Sequence, residues 1–365
     1  MLNLFILGCF LTTFAACDVK VDVHSHYLPD FYAAALRDAG HNPGPDGMPA
    51  IPAWDPETHL QFMQDLNITK SYLSISSPGV YISVPSRAAT KNATRLARRV
   101  NDFASQLKAQ YPSEFGFFAS LPLPAIEESL QEIEYCFHEL DPKPDGVVLM
   151  SNSYGMYFGD PNMDPIWEAL DALNITIFEH PTGPCTEHNH LKYSNIDGET
   201  STITPEEWRS LNRPVATRQR ATPILDFPFD TARTFADLFY SEVPTRFPSL
   251  RWIIPHAGGG LLPTLDRIVT FSTLYPGFNM TMSLMMDTLS RSFYFDLAGP
   301  WPVDSSIPTL LRWVNHSNIL WGSDVPFTAW AAASILAFDT GIEDVFGNST
   351  RSQDVRSNNA RRLLQ

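Results

Sequence analysis

The chain has 365 residues, of which 44% are hydrophobic and 12% aromatic, so it is long and apolar enough to bury one large core. Its formal net charge of −15 argues against nucleic acid and anionic membrane surfaces as partners. The four cysteines are too few to identify a disulfide scaffold.

Residues 1–17 form an uncharged apolar leader that is too short to span a bilayer comfortably. It is typical of the hydrophobic region of a signal peptide, although no positive charge precedes it. A buried first helix or a lipid anchor at Cys17 is the alternative. Cleavage would remove Cys9 and Cys17 and leave Cys136 and Cys185 either as a disulfide or as two free thiols.

Six Asn-x-Ser/Thr sequons favour a secretory location over a cytoplasmic one, because glycosylation requires entry into the secretory lumen. They are Asn67, Asn92, Asn174, Asn279, Asn315 and Asn348.

Eight short runs of mostly apolar residues follow one another along the chain, as expected for strands that are buried on both faces. They cover residues 21–24, 71–76, 115–120, 146–150, 175–180, 251–256, 293–299 and 318–324. Between them lie segments with helical periodicity at 94–111, 125–140, 164–173 and 231–243. Asp164 is the expected N-cap of the third helix, with Pro165 at its first position.

Strands that alternate with helices predict an α/β fold, a single-domain (β/α)₈ TIM barrel over residues 18–365. A doubly wound sheet is the competitor, but no glycine-rich nucleotide fingerprint supports it. Two long segments, 27–60 and 181–230, follow strands one and five, where insertions build the active-site mouth of a barrel.

Polar residues stand at the carboxyl ends of the expected strands, which converge on one face of a barrel. His24 and His26 lie two residues apart on strand one and so face the same way. With His180 after strand five and Asp324 after strand eight, they form a set of three nitrogens and one oxygen. That set suits zinc, manganese or iron(II). His256 ends strand six.

Each of these residues has another interpretation when it is taken alone. A buried histidine is often a hydrogen-bonded core residue, and Asp324 could cap a following helix. His188 and His190 form a rival pair within a segment rich in turn residues. In "PHAGGG" (255–260), the glycines allow a close backbone approach and could open a helix with free N–H groups. There His256 is either a core residue or an acid or base beside the metal, and the filled ligand set favours the latter.

Four stretches resemble the amidohydrolase superfamily and, within it, the branch of aminocarboxymuconate semialdehyde decarboxylase. They are "VDVHSHYLP" (21–29), "FEHP" (178–181), "RWIIPHAGGG" (251–260) and "ILWGSDVPF" (319–327). Residues 47–80 are most similar to the 6-methylsalicylate decarboxylase type. The resemblance implies one divalent metal, zinc before manganese, on His24, His26, His180 and Asp324. It also implies a catalytic His256 and a homodimer. A second metal is not expected, because "GVVLM" (146–150) has no lysine.

The activity implied is the non-oxidative decarboxylation of a small aromatic acid of the salicylate type, such as 6-methylsalicylate to 3-methylphenol. Asp324 would deliver the proton, and His256 would set the protonation of Asp324 or stabilise charge. Tyr27, Trp301 and Phe327 are candidates for an aromatic pocket, with plain packing as the alternative. Arg233 could bind the substrate carboxylate or simply lie on a helix surface. A metal-dependent hydrolase of a lactone or amide, and a non-catalytic metal-binding barrel, are the competing functions.

Overall fold

The computed structural model describes residues 19–41, 43–184, 222–272, 274, 280–299, 303–327 and 340–365. Several features predicted from the sequence lie outside these residues: the leader 1–17, Cys185, the His188/His190 pair, Asn279 and Trp301. No helix in the described part is long and apolar enough to cross a bilayer.

Eight parallel strands form one sheet in which each strand pairs with the next along the chain. All eight expected strands are present, with small shifts of their ends. They are β1 Lys20–His26, β2 Ile68–Ser74, β3 Phe115–Ser120, β4 Gly146–Met150, β5 Thr176–His180, β6 Arg251–Ile254, β7 Phe293–Asp296 and β8 Ile319–Leu320.

The sheet closes because the segment after β8 runs alongside β1. The Val23 N–H donates to the Trp321 carbonyl at 3.1 Å, and the His26 N–H donates to the Val325 carbonyl at 2.8 Å. The Asp324 N–H donates to the His24 carbonyl at 2.8 Å. The (β/α)₈ barrel predicted from the sequence is therefore confirmed, and its closure brings residues 300 positions apart together.

Helices follow the strands in the described part of the chain. They are α1 Asp30–Asp38, α2 Pro56–Asp65, α3 Arg87–Gln110, α4 Ile126–Glu134, α5 Asp164–Ala172, α6 Asp226–Tyr240, α7 Val243–Arg246, α8 Leu262–Ser272, α9 Met282–Ser292, α10 Val303–Leu310, α11 Thr350–Gln353 and α12 Asn359–Leu364. Local signals fix some starts: the Ser86 hydroxyl accepts the Ala89 N–H ahead of α3, and Asp55 caps α2.

Several helix starts differ from the sequence prediction. Helix α3 begins at Arg87, seven residues before the expected start at 94. Asp164 is the first helical residue of α5 and not its N-cap, because a 3₁₀ turn over Pro161–Met163 runs directly into the helix. Its carboxylate pairs with Arg246 instead, at 2.6 Å. Helix α6 begins at Asp226 and not at residue 231, so the end of the segment expected as a loop is helical.

Alternation along the strands divides the buried side chains into two layers. One side chain from most strands fills the barrel interior: Tyr72, Phe118, Val148, Phe178, Ile253 and Leu320. Their neighbours in sequence, such as Ile177 and Trp252, pack outward against the helices. His180 lies two residues beyond Phe178 and therefore faces the interior at the mouth of the barrel.

Candidate metal centre

Three imidazoles converge at the carboxyl end of the barrel. His26 and His180 are the last residues of β1 and β5, and His24 lies within β1 and not at its end as expected. The ring centroids are 4.8 Å apart for His26 and His180, 5.0 Å for His24 and His26, and 5.7 Å for His24 and His180. One nitrogen of each ring lies within 4.8 Å of the others, which is the spacing of ligands around one ion.

Hydrogen bonds fix which nitrogen of each ring carries the proton. The Nδ1 of His24 lies 2.9 Å from Asp296 Oδ2, and the Nδ1 of His180 lies 2.7 Å from the Pro181 carbonyl. These oxygens only accept, so each Nδ1 donates and each Nε2 keeps its lone pair.

His26 follows the same rule with a different acceptor. Its Nδ1 lies 3.3 Å from the Ser74 carbonyl and 3.0 Å from the Ser74 hydroxyl. Burial, together with the neighbouring histidines, holds the pKa values of His24 and His180 well below the usual value, which keeps both rings neutral. A neutral imidazole is the form that binds a metal.

The residues fit a divalent cation. The Nε2 atoms of His24 and His26 are buried, and neither has a hydrogen-bond partner within the described ranges. Asp324 Oδ1 lies 3.6 Å from the first and 3.2 Å from the second. Lone pairs then face one another at the two buried nitrogens, and a buried polar atom without a partner costs about 1–3 kcal/mol. A cation between these atoms would remove that penalty.

Asp324 does not end a strand as the sequence suggested, because β8 stops at Leu320. It lies four residues further on, with φ at 59°, in the segment that closes the barrel. Burial alone would raise the pKa of its carboxyl group, but the contact with His26 and the fields of His24 and His256 outweigh that effect and lower it. The carboxylate is therefore ionised beside the imidazoles.

His256 also lies beyond its strand, since β6 ends at Ile254. It opens a 3₁₀ turn in which His256 and Ala257 both have left-handed backbone, with φ at 52° and 54°. The ring centroid lies 4.9 Å from that of His24, and Nδ1 donates to the Ala298 carbonyl at 3.0 Å. The ring therefore lies beside the three converging imidazoles.

The glycines after His256 serve packing. A Cβ on Gly259 would lie 2.9 Å from Pro228 backbone, so the close approach expected from the sequence is confirmed. The prediction that these glycines present free N–H groups is wrong. The N–H groups of Gly258, Gly259 and Gly260 donate to the carbonyls of Pro255, His256 and Pro228, respectively. Helix α8 begins only at Leu262.

Sequence reasoning missed two buried acids at the site. Asp296, the last residue of β7, accepts from the His24 ring and from the backbone N–H groups of His256 and Ala298. Burial raises the pKa of Asp296 to about 6, against the lowering effect of His256 and the two N–H groups. Asp22 accepts from the N–H groups of His24 and Ser323. The available signal was an acid inside an otherwise apolar strand, in "FYFDLAG" and "VDVH".

The predicted pocket residues fall in different places. Phe327 lies at the site, with its ring centroid 5.5 Å from that of His26. Tyr27 is fully buried, donates to the Val100 carbonyl at 3.1 Å and stacks on Phe103, so its alternative interpretation as packing is correct. Strand β4 contributes no lysine, as expected.

Arg233 lies on α6 and is 45% exposed. Its Nη1 pairs with the buried Asp230 at 2.8 Å, and Asp230 also binds Ser151 and Asn152, which follow β4. Ser151 Oγ in turn accepts the Thr182 N–H, two residues after His180. Arg233 thus reaches the histidines only through a chain of hydrogen bonds.

Comparisons with known proteins identify the family of the chain. A family profile described as amidohydrolase matches residues 21–365. A 6-methylsalicylic acid decarboxylase of Penicillium expansum is 32% identical, with 84% of this chain and 85% of that protein covered. A crystal structure named amidohydrolase II superposes with a TM-score of 0.75 at 30% identity, covering 94% of this chain and 99% of that one. The 5-carboxyvanillate decarboxylase of Novosphingobium aromaticivorans, solved with manganese, gives 0.73 at 17% identity, covering 95% and 96%.

Proposed function

Since the chain belongs to the amidohydrolase family, we propose that it is a metal-dependent decarboxylase of a small aromatic acid of the salicylate type, with 6-methylsalicylate as the leading candidate. The observation that carries the proposal is the convergence of three imidazoles and one carboxylate in a buried barrel mouth. The name of the Penicillium relative supports the reaction and the substrate class.

Four residues would hold the metal: His24, His26, His180 and Asp324. The two Nε2 atoms without a hydrogen-bond partner and the nearby Asp324 oxygen support this set. Three imidazole nitrogens with one carboxylate oxygen favour zinc, and manganese is the second candidate because the Novosphingobium neighbour was solved with it. When bound, the cation supplies Lewis-acid polarisation of substrate oxygens.

Asp324 and His256 would transfer the proton that the reaction requires. Decarboxylation requires a proton on the ring carbon that bears the carboxylate, after which the carbon–carbon bond breaks and its electron pair returns to the ring. Asp324 lies at the site with its carboxylate ionised, so it would first take up a proton from solvent and then deliver it to the ring carbon. His256, whose ring donates to the Ala298 carbonyl through Nδ1, would exchange a proton with this acid or stabilise charge.

The substrate would lie over the metal ligands with its ring against apolar walls. Phe327 contacts His26 edge-on and would form one wall. Trp301 lies outside the described residues and stays a candidate from the sequence alone. Arg233 would have to leave Asp230 in order to bind a carboxylate, so its role in substrate binding is the weakest part of this assignment and the easiest to test by substitution.

We also propose that the chain enters the secretory pathway, with residues 1–17 as a cleaved signal peptide, and that it is a homodimer there. Among the sequons in the described ranges, Asn92, Asn174, Asn315 and Asn348 have exposed side chains and Asn67 is partly exposed, which a glycosylation site requires. A shift in mass after enzymatic removal of N-glycans would support this location, and its absence would contradict it.

The proposed activity is tested by incubating the purified, metal-loaded chain with a panel of hydroxybenzoates that includes 6-methylsalicylate. Stoichiometric carbon dioxide and the matching phenol are expected. Lactones and amides of similar size form the second arm, in which release of acid without gas would instead identify a hydrolase. Binding of metal without turnover of either panel would overturn the enzymatic proposal.

A further inference from the structure

Asp296 is a fully buried carboxylate whose two oxygens contact two different histidines of the site. Oδ2 lies 2.9 Å from the Nδ1 of His24, and Oδ1 lies 3.0 Å from the backbone N of His256. Oδ1 also lies 3.0 Å from the backbone N of Ala298. Asp296 is not part of the proposed ligand set, so these contacts require a separate explanation.

A second metal on His24, His256 and Asp296 would be one explanation, since these residues could offer three ligand atoms within 4.8 Å. The hydrogen bonds argue against it. The Nδ1 of His24 donates to Asp296, the Nδ1 of His256 donates to the Ala298 carbonyl, and Oδ1 of Asp296 already accepts two N–H groups. The atoms are arranged as a hydrogen-bonded chain.

The first function of this carboxylate concerns His24. Of the three converging imidazoles, His26 and His180 donate to neutral oxygens of Ser74 and Pro181, whereas His24 donates to a carboxylate. A charge-assisted bond of this kind is stronger than a neutral one and makes the opposite nitrogen a more basic ligand. It also excludes the tautomer in which Nε2 carries the proton, and that tautomer could not bind a metal through Nε2.

The second function concerns His256. Two consecutive residues other than glycine, His256 and Ala257, are left-handed, at a cost of about 1–2 kcal/mol each. Such backbone persists only where the surroundings determine it. Asp296 fixes both the backbone and the ring of His256. It accepts the backbone N–H of His256 directly. It also accepts the N–H of Ala298, and the carbonyl of Ala298 accepts the hydrogen bond from the His256 ring.

We propose that Asp296 is a positioning residue that fixes the metal-binding tautomer of His24 with one oxygen and the orientation of His256 with the other. The metal centre and the proton-transferring histidine are thereby held by a single side chain. The role assigned to His256 rests on the proposed function, whereas the effect on His24 concerns metal affinity and does not depend on which reaction is catalysed.

Two substitutions separate the two functions. Asp296→Asn keeps an oxygen for the N–H groups of His256 and Ala298 but presents an amide that cannot accept from His24. We expect zinc affinity, measured by competition with a chromophoric chelator, to fall about 10–100-fold, with kcat at saturating zinc largely retained. Asp296→Ala removes both oxygens, and we expect the same loss of affinity together with a fall in kcat of about 10-fold or more.

Asp237→Asn is the matched control. Asp237 is a partly buried carboxylate on α6 that accepts the Gly159 N–H at 2.6 Å and touches none of the histidines at the site. It should change stability without changing zinc affinity or kcat. If Asp296→Ala fails to fold, Asp296→Asn still decides the question. Zinc affinity of Asp296→Asn equal to that of the unchanged chain would overturn the proposal. Zinc binding by the unchanged chain without decarboxylation would overturn the proposed function alone.

Discussion

Two kinds of buried histidine lie within this barrel, and they differ in how their nitrogens are satisfied. His59 on α2 is 3% exposed; its Nδ1 accepts from the Trp54 indole at 3.0 Å, and its Nε2 lies 3.2 Å from the Ser71 hydroxyl. His24 and His26 at the mouth each pair through Nδ1 alone, and Nε2 has no hydrogen-bond partner in the described part of the chain. Burial therefore does not distinguish a ligand from a core histidine, whereas the unpaired nitrogens mark His24 and His26. His180 is intermediate, since its Nε2 lies 3.4 Å from the Ser76 hydroxyl.

Removal of the metal should have the largest effect, because it acts on the histidines at the mouth and not on His59. Dialysis against a chelator is expected to reduce decarboxylation to background and to lower the melting temperature, because the ligands are left buried and unpaired. A metal at 100 times its dissociation constant stabilises the folded chain by about 2.7 kcal/mol. Activity and melting temperature should both recover when zinc or manganese is added back. Full turnover by the metal-free chain would contradict the site.

His256→Ala should have the next largest effect, because it removes the ring beside the ligands without removing a ligand. We expect kcat to fall by about 10²–10⁴-fold, the range for loss of a general acid or base, while metal content stays near that of the unchanged chain. Metal analysis and turnover on the same preparation are the measurements. A variant that still turns over would show that His256 is only a packing residue.

His59→Leu should show the opposite pattern. The substitution leaves the partly buried Trp54 indole N–H without its His59 acceptor and removes a partner of Ser71, at a cost of about 1–3 kcal/mol in the free energy of unfolding. Metal affinity and kcat should stay unchanged, because His59 contacts no proposed ligand. Denaturant unfolding is the measurement. His138→Leu is the control, since that side chain is 48% exposed and its loss should have little effect.

The smallest expected effect is a pH dependence of the free energy of unfolding, which comes from His59 and should be absent in His59→Leu. Burial lowers the pKa of His59 from 6.5 to about 3, with a smaller contribution from His26. The unfolded chain therefore binds a proton that the folded chain excludes. Stability from this group is complete above pH 6.5 and is lost as pH falls toward about 3.

Between pH 7.5 and 5.5 this loss should amount to about 1 kcal/mol. The difference in unfolding free energy between the unchanged chain and His59→Leu should shrink by that amount over the same interval. All other histidines are common to both chains, so they cancel in the comparison. A difference that stays constant with pH would contradict a neutral, buried His59.

Much of the fold could be read from the sequence because it depends on local patterns. The apolar runs gave all eight strands, and "VDVHSHYLP" and "FEHP" gave three imidazoles that the structure brings together. Strand ends were less predictable: His256 and Asp324 both lie beyond their strands, in left-handed conformations that no apolar pattern encodes. The start of α5 was also misplaced, because a 3₁₀ turn before Asp164 continues into the helix.

The sequence by itself determined the alternation of strands and helices and the kinds of side chain at the carboxyl ends of β1 and β5, since both depend on periodicity along a single segment. Only the tertiary structure decided which partner each polar group finds. The bond between His24 and Asp296 joins residues 272 positions apart, and Asp324 reaches His24 only because the segment after β8 pairs with β1. Hydrogen bonds between residues so far apart in the sequence follow from closure of the barrel, which no local pattern specifies.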